Sequence, residues 1–304
     1  MATVTDYLTQ LQTDKQTLVD NLVAKGIDAT SDETFTSLVP KVADISNSST
    51  VTKGIVINSI DENGYVTDVS LVGMTEIPNY YFSSLFIENT DTNTYLFGNI
   101  GVNLHLPDDI TKIGSYAFNY CKGLALTKLP SEITSIGQYA FSNCSNLALT
   151  ELPSRITRIE INTFYQCKNL ALTKLPDGLT HLGDNCFYTC TNLAIKEVPA
   201  GITIIPASGF STCTSLTELT CLGAITTISR YGFSSCSNLT KLVLPNVTEV
   251  PSLANANAFN STPIANGTGY VYVPDDLVDS FKTASTWSTF ADQIKPISEL
   301  EVSA

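Results

Sequence analysis

The most reactive side chains of this 304-residue chain are the thiols of its eight cysteines. Six of them recur every 23 residues: Cys121, Cys144, Cys167, Cys190, Cys213 and Cys236. In-register side chains on stacked strands lie about 4.7–4.9 Å apart, whereas a disulfide requires Cβ atoms about 3.5–4.5 Å apart. No CxxC pair and no cysteine–histidine spacing typical of zinc sites occurs. The pattern therefore predicts a structural ladder of buried, unpaired thiols, without a metal or another cofactor.

Candidates for acid–base catalysis are few. The two histidines, His105 and His181, stand at nonequivalent places in separate repeats, and no GxSxG or HExxH motif surrounds them. The carboxylates are scattered, and no pair in a distinctive setting indicates glycoside hydrolysis. Asp61, Asn63 and Asp68 have only part of the ligand spacing of a calcium loop, and a hairpin turn explains them better. The sequence therefore predicts a protein with no catalytic residue and no enzymatic activity.

The chain carries a net charge of −13, from 29 acidic and 16 basic residues. This charge repels nucleic-acid phosphates and anionic lipids alike, which argues against nucleic acid as a partner. No apolar run approaches the roughly 20 residues of a membrane helix, so we expect no membrane span. The segment Met1–Gln12 lacks a basic region followed by an apolar stretch, so we also expect no signal peptide.

A repeat must position the six ladder thiols. Each of these cysteines follows a phenylalanine by three residues: Phe118, Phe141, Phe164, Phe187, Phe210 and Phe233. Rows of leucine and isoleucine keep the same interval, which is typical of solenoids whose coils stack side by side. A proline, such as Pro153, follows the short strand of most coils and ends it, because proline has no amide hydrogen to donate. The sequence therefore predicts an α/β solenoid of 23-residue coils.

Changes in pattern divide the chain into four segments. These are an N-terminal helical module over residues 1–46, a β-hairpin and N-terminal cap with an insertion over 47–100, the solenoid over 101–265 and a C-terminal strand-helix cap over 266–304. The hairpin is expected to turn at Asn63-Gly64, and Ile77 and Phe82 repeat the spacing of a degenerate first coil. The last strand is expected over Tyr270–Val273, with Pro274 opening a helix.

The N-terminal module is a candidate for oligomerisation. Its apolar positions follow a heptad seam that Lys15 interrupts: Val4, Leu8, Leu11, Leu18 and Leu22. Such spacing is typical of helices that pack along one seam. Two interpretations remain open, a helical hairpin that packs on itself and a module that docks or trimerises. We expect a homo-oligomer, with a trimer favoured.

Two sets of side chains are candidates for a ligand face of the solenoid. The first is a row that alternates in charge: Lys128, Glu151, Lys174 and Glu197. Opposite charges on adjacent strands attract modestly, so stability alone also accounts for this row. The second is a set of tyrosines at one coil position: Tyr116, Tyr139 and Tyr231. These rings could stack on sugars, and buried packing is an equal alternative.

The coil pattern CxNLALTxLPxxITxIxxxxF resembles the BspA-like leucine-rich repeats of bacterial and bacteriophage surface proteins, over about residues 74–260. The stretch GTGYVYVPDDLVDSFKTASTWSTFADQIKPISEL is similar to the terminal cap of such proteins in gut Firmicutes and their phages. The segment KGIDATSDETFTSLVPKVADI resembles the head of phage structural proteins such as tail and fibre components. Gly123 and Leu222 depart from the repeat pattern and affect only local turns.

These resemblances imply a non-enzymatic bacteriophage virion protein. Its residues 1–46 would bind capsid or tail proteins, and its repeats would attach to a protein or glycan of the host surface. It would be assembled in the host cytoplasm and reside in the virion. The alternatives are a bacterial BspA-type cell-surface adhesin, and a passive capsid or baseplate decoration protein without a receptor.

Overall fold

The computed structural model describes residues 54–60, 66–82 and 103–300, together with Thr30. Two compact units divide them, one with the described residues up to Met74 and residues 103–107, the other with 75–82 and 108–300. Apart from Thr30, the predicted N-terminal module and its seam lie outside the described residues, as do the insertion and Asn63-Gly64. None of the helices in the described part of the chain combines the length and apolar character needed to cross a bilayer.

The described strands are short and are numbered in chain order. They are β1 (Gly54–Ile60), β2 (Val66–Val72), β3 (Glu76–Ile77), β4 (Asn103–His105), β5 (Lys112–Ile113), β6 (Ser135–Ile136), β7 (Arg158–Ile159), β8 (His181–Leu182), β9 (Glu197–Val198), β10 (Ile204–Ile205), β11 (Glu218–Cys221), β12 (Thr227–Ile228), β13 (Lys241–Val243), β14 (Ser252–Leu253), β15 (Tyr270–Val273) and β16 (Ile294–Pro296).

The first unit contains a three-stranded sheet in the order β1-β2-β4. Strands β1 and β2 pair antiparallel, as the predicted hairpin requires, and β2 pairs parallel with β4. Side chains alternate across β2, so that Val69 and Leu71 are buried with Leu104 while Asp68 and Ser70 point to the other face. The described side chains of β2 and β4 are therefore apolar on one face of the sheet and polar on the other.

Parallel two-residue strands form the most regular row of the second unit. Each ends on a buried isoleucine or leucine, and Ile113 pairs with Ile136 in the next coil. The degenerate first coil is confirmed, because Ile77 pairs with Ile113 and the ring of Phe82 stacks on Phe118 at 4.7 Å. The repeats of the second unit thus form the stacked parallel array of a leucine-rich repeat fold.

A second strand row occupies the place where the sequence predicted one, but only from β9 onward. The three preceding coils, at Leu129, Leu152 and Leu175, have no strand there. Proline ends the segment in each of these coils, as Pro199 also ends β9, because it offers no amide to the neighbouring coil. Where Leu222 replaces the proline, β11 reaches four residues and the Leu222 amide donates to the carbonyl oxygen of Val198 at 2.9 Å.

The helical component of the predicted α/β class is smaller than expected. In the described coils over 108–260, compact turns such as residues 115–120 connect each isoleucine strand to the ladder cysteine, and no α-helix is present. The α-helix Val278–Thr283 lies beyond the repeats, next to the 3-10 helix Trp287–Gln293. The predicted strand Tyr270–Val273 is observed as β15.

The core of the array consists of columns that run from coil to coil. Phenylalanine rings stack nearly parallel from Phe82 to Phe259, with centroids between 4.7 Å and 5.8 Å apart. All eight cysteines are buried and free of disulfides. Five ladder thiols also donate to the carbonyl oxygen of a phenylalanine 26 residues earlier, as Cys167 does to Phe141 at 3.0 Å. These thiols therefore satisfy backbone acceptors in addition to filling space.

Aromatic side chains close the C-terminal end of the phenylalanine column. Trp287 is 1% exposed, and its indole Nε1 donates to the carbonyl oxygen of Pro251 at 2.7 Å. Its ring lies 5.9 Å from that of Phe259 and 4.9 Å from that of Phe281. The helical segment thus covers the last ring of the column with apolar surface.

Gly223 is expected to tolerate no side chain. A Cβ at this position would overlap the carbonyl oxygen of Ile202 and lie 2.9 Å from that of Ala200, and backbone atoms cannot move aside as a flexible side chain can. We expect Gly223→Ala to lower the free energy of unfolding by about 1–3 kcal/mol, measured by urea denaturation. The matched control is Gly178→Ala, because a Cβ at Gly178 meets nothing within 4 Å. Equal midpoints for the two variants would contradict the close approach.

Candidate functional site

Every coil makes the same sharp turn between its isoleucine strand and its ladder cysteine. Two residues of each turn have a positive φ, such as Tyr116 at 58° and Tyr120 at 64°. This conformation is unfavourable for residues other than glycine, so it persists only where surrounding bonds enforce it. Here the amides of Tyr116 and Tyr120 donate to the carbonyl oxygens of Gln138 and Ser142 in the next coil, at 3.0 Å and 2.8 Å. The turns therefore form a hydrogen-bonded ladder.

Three rows of side chains lie on these turns, and we call them together the turn face. The first row is Tyr116, Tyr139, Asn162, Asn185, Ser208 and Tyr231. The second row is Asn119, Ser142, Tyr165, Tyr188, Ser211 and Ser234. The third row is Tyr120, Asn143, Gln166, Thr189, Thr212 and Ser235. Aromatic, amide and hydroxyl groups dominate the turn face and vary from coil to coil, whereas the core columns beneath it repeat the same residue types.

Tyrosines of the turn face form two separate stacks. In the first, the ring of Tyr116 lies 4.7 Å from that of Tyr80 and 4.5 Å from that of Tyr139, and the planes are within 6° of parallel. In the second, Tyr165 and Tyr188 stack at 4.9 Å in the adjacent row. The first stack ends where Asn162 follows Tyr139 in its row, one coil along the array. The second begins at that same coil.

A shallow groove of about 450 Å³, which we call the tyrosine groove, lies where the two stacks meet. Its lining is Tyr116, Asn119, Tyr120, Tyr139, Ser142, Asn143, Asn162 and Tyr165. None of these side chains is charged at neutral pH. Desolvation, followed by the neighbouring phenols of Tyr139 and Tyr80, raises the pKa of Tyr116 above its usual value. The groove therefore presents ring faces, amides and hydroxyls in an uncharged setting.

The structure brings together only part of the predicted ligand face. Tyr116 and Tyr139 line the tyrosine groove, whereas Tyr231 lies apart from it, under the guanidinium of Arg230 at 5.5 Å. Tyr120 and Tyr165 were missed by the sequence analysis, although the 23-residue interval between Tyr165 and Tyr188 was a readable signal. A comparison of the residues at one coil position does not reveal the tyrosines at a second position of the turn.

The charged row lies on other surfaces and does not form a continuous ion ladder. Lys128 and Glu151 approach to 3.9 Å, but Lys174 pairs with Asp177 in its own coil at 2.9 Å. Glu151 and Lys174 line a different depression from the tyrosine groove. Glu197 lies in β9, whose Lys196 neighbour contacts Glu218 at 2.5 Å. Because exposed pairs of this kind contribute about 0–1 kcal/mol each, the row carries little stability.

A polar cluster lies on the sheet of the first unit. The carboxylate of Asp68 accepts hydrogen bonds from Asn58 at 2.5 Å and from Asn103 at 3.1 Å, and its Oδ2 lies 3.1 Å from Nε2 of His105. The bond from Asn58 is the main reason why the pKa of Asp68 is lowered. Within the described ranges, no group of three histidine, cysteine or acidic side chains is placed to hold a metal ion.

Removal of Asn58 is expected to raise the pKa of Asp68. The Asn58→Ala variant should show a larger upward shift than Asn103→Ala, because the hydrogen bond from Asn58 lowers the pKa of Asp68 more than the one from Asn103. Carboxylate carbon NMR titration measures both values. The sign follows from the lowered folded pKa: the stabilisation is present above about pH 3.9 and is lost as the pH falls through the folded value. A larger shift in Asn103→Ala would contradict this ranking.

Comparison with solved structures finds similar leucine-rich repeat proteins. A leucine-rich repeat protein of T. pallidum is 21% identical with a TM-score of 0.47, and the match covers 66% of this chain and 83% of that chain. A leucine-rich cell surface protein of Faecalibacterium prausnitzii is 24% identical with a TM-score of 0.43, covering 75% of this chain and 63% of that chain. A leucine-rich repeat protein of Bacteroides ovatus is 24% identical with a TM-score of 0.44, covering 75% and 59%.

No curated protein matches the chain. The family model described as the BspA type leucine-rich repeat region matches residues 90–195 and 146–265, which together make up more than half of the chain. The match includes the six ladder cysteines, the phenylalanines from Phe118 to Phe259, the strands from β5 to β14 and the whole turn face. The chain therefore belongs to the family of the BspA type leucine-rich repeat region.

Proposed function

We propose that the chain is a non-enzymatic adhesion protein that binds its target through the turn face of its repeats. The observation that carries the proposal is the pair of tyrosine stacks that meet at an open groove. Exposed aromatic side chains combine a large apolar surface with a polar tip, and they dominate many binding surfaces. The ladder of turn hydrogen bonds holds them in place before a partner arrives, which lowers the entropic cost of binding.

The chemistry of the tyrosine groove suits contact rather than proton transfer. Its phenols, amides and hydroxyl can form hydrogen bonds with a partner, and its lining contains no carboxylate, imidazole or amine. The core thiols are buried beneath the turns and have no access to a ligand. Adhesion or protein–protein interaction is therefore the activity that these residues support.

The particle that carries the protein is the finer part of the proposal. The resemblance of residues 1–46 to phage structural proteins favours a bacteriophage virion, in which this segment joins the capsid or tail and forms a homotrimer. A bacterial cell surface is the alternative carrier, and the family is compatible with it. Mass spectrometry of purified virions and of cell-wall fractions decides between the two carriers, because each predicts enrichment of the chain in a different fraction.

Adhesion is tested by the binding of the fluorescently labelled full-length chain to whole bacterial cells, measured by flow cytometry over a panel of gut Firmicutes. We expect saturable binding that a triple variant with Tyr116→Ala, Tyr139→Ala and Tyr165→Ala loses at least tenfold. The control is Tyr270→Ala, which removes an exposed tyrosine of β15 outside the turn face. Absence of saturable binding, or loss on substitution of Lys128 and Lys174 instead, would contradict adhesion through the turn face.

A further inference from the structure

On each side of the tyrosine groove, one tyrosine ring has a face that no other ring of its row covers. Rings inside a stack cover each other, but the first stack stops at Tyr139 because Asn162 occupies the next position of its row. The second stack starts at Tyr165, where Ser142 is the preceding residue of its row. The outer faces of Tyr139 and Tyr165 therefore border the groove without an aromatic neighbour in their own rows.

The spacing of the rings in each stack shows where a further ring would lie. Neighbouring tyrosines in the two stacks lie 4.5–4.9 Å apart. A flat or puckered ring placed over Asn162 would continue the first stack at the spacing that Tyr80, Tyr116 and Tyr139 already keep. The face of an aromatic ring is its negative part, so it attracts the weakly positive C–H groups of a saturated ring. A pyranose sugar offers such C–H groups on its broad face.

Polar groups beside the rings match the hydroxyls of a sugar. Asn143, which is half-buried, supplies an amide donor and a carbonyl acceptor, and Tyr120, which is exposed, supplies a hydroxyl, whereas Ser142 and Asn162 are buried. Asn143 already donates to the hydroxyl of Ser142 at 3.0 Å, which orients its amide. Among the described residues, Oδ1 of Asn119 is buried and has no hydrogen-bond partner. This oxygen is closed to solvent, so the groove offers a ligand the other polar groups of its lining.

The electrostatic setting selects against charged sugars. The lining of the groove is uncharged, and the whole chain carries a net charge of −13. Uronic acids, sialic acids and phosphorylated polymers would meet no cation in the groove and would be repelled by the chain as a whole. The groove is also open to solvent, so it suits a segment of a polysaccharide rather than an enclosed small molecule.

We propose that the tyrosine groove binds the pyranose rings of a neutral glycan, with one sugar stacked on Tyr139 and the adjoining sugar against Tyr165. This inference rests on the proposed function, because it names the ligand class of the same turn face. Tyr120 and Asn143, the exposed and half-buried polar side chains of the lining, act in it as hydrogen-bonding partners of the sugar hydroxyls.

The test uses the full-length chain and four hexasaccharides: a β-1,4-glucan, an N-acetylglucosamine polymer, an α-mannan and, as the acidic probe, a polygalacturonate. Isothermal titration calorimetry should detect binding of at least one neutral probe. Tyr139→Ala and Tyr165→Ala should each weaken it at least tenfold, whereas Tyr270→Ala should change it less than twofold. Melting temperatures of the variants report whether the fold is intact.

Asn162→Tyr is the sharpest variant, because it places a ring in the groove next to Tyr139 at a backbone position that accepts tyrosine. Asn162 has a φ of 53°, close to the 57° of Tyr139 in the same row, so the backbone already accepts tyrosine there. The new ring should extend the first stack, keep or raise the melting temperature and abolish glycan binding. Binding of a neutral probe that is lost in this stable variant supports the proposal.

Three results would overturn the proposal: no neutral hexasaccharide binds, only the acidic one binds, or Asn162→Tyr binds as well as the unmodified chain. Adhesion itself is tested separately on the bacterial cells. Should cells bind the protein after periodate oxidation of their glycans but not after protease treatment, the target is a protein. The glycan assignment then fails while adhesion through the turn face stands.

Discussion

Raising the pH from 8 to 10 is expected to unfold the repeats of the second unit. Burial raises the pKa of seven of the eight thiols, and the values for Cys221 and Cys236 reach about 12. The other five thiols with a raised pKa are Cys144, Cys167, Cys186, Cys190 and Cys213. A thiolate in the core would lose its hydration without gaining a cation, so the folded state keeps these groups protonated.

The unfolded chain behaves differently, because an exposed cysteine ionises with a pKa of about 8.5. The folded pKa lies above this value, so the stabilisation is complete below about pH 8.5 and is lost as the pH rises toward the folded value. Each buried thiol then costs about 1.4 kcal/mol per pH unit. Seven such groups together cost about 10 kcal/mol per unit, which is comparable with the total stability of about 5–15 kcal/mol of a typical domain.

Urea denaturation at intervals between pH 7 and pH 10, with a reductant present, measures this loss. The matched control is Cys186→Ala, because Ala117 and Ala140 occupy the same position in other coils. This variant should change the urea midpoint at pH 7 little. The slope of its unfolding free energy against pH should correspond to the release of one proton fewer. A urea midpoint that stays constant up to pH 10 would show that the thiols do not remain protonated in the folded core.

Phe164→Ala is expected to cost about 3–5 kcal/mol of unfolding free energy at pH 7. Phe164 is fully buried and stacks on Phe141 and on Phe187, at 5.7 Å and an interplanar angle of 3° on both sides. Truncation removes both contacts and leaves a cavity in the middle of the column. Because each coil contacts only its neighbours, the coils on either side lose their coupling at this point.

The measurement for Phe164→Ala is urea denaturation followed by circular dichroism. We expect a lower midpoint and a broader transition, since the two flanking parts of the array become less cooperative. Tyr188→Ala serves as the control, because its ring stacks on Tyr165 at 4.9 Å but lies on the half-buried turn face. Aromatic pairs of this kind contribute about 0.5–1.5 kcal/mol, so a similar loss in both variants would contradict the role of the phenylalanine column.

The repeat was predictable because one side chain in each coil must meet the same side chain in the next. The 23-residue interval between Phe141 and Phe164 predicts that their rings stack. The spacing of Ile77 and Phe82 predicts the first coil in the same way, although an insertion follows it. The distribution of strands was less predictable. Leu175 and Val198 are both followed directly by proline, yet only Val198 lies in a strand, so neither the proline nor the apolar pattern predicts the difference.

The candidate site was predictable only in part. Tyr116 and Tyr139 share a column and were recognised, but the groove arises from the relation between two rows at one coil. That relation depends on the positive φ values of the turns, which bring residues 139 and 165 to one surface. No repeat interval connects these two tyrosines, so only the folded backbone reveals that they border the same space.

The junction of the two stacks has a consequence for the evolution of the gene. Because the coils share their phenylalanine and cysteine columns, recombination between repeats that removes residues 122–144 would leave both columns continuous. Tyr116 would then adjoin Asn162, and Asn119 would precede Tyr165, so a new boundary would form between two tyrosine rows, with Asn119 in the place of Ser142. Changes in copy number would lengthen or shorten the stacks while preserving the place where they meet.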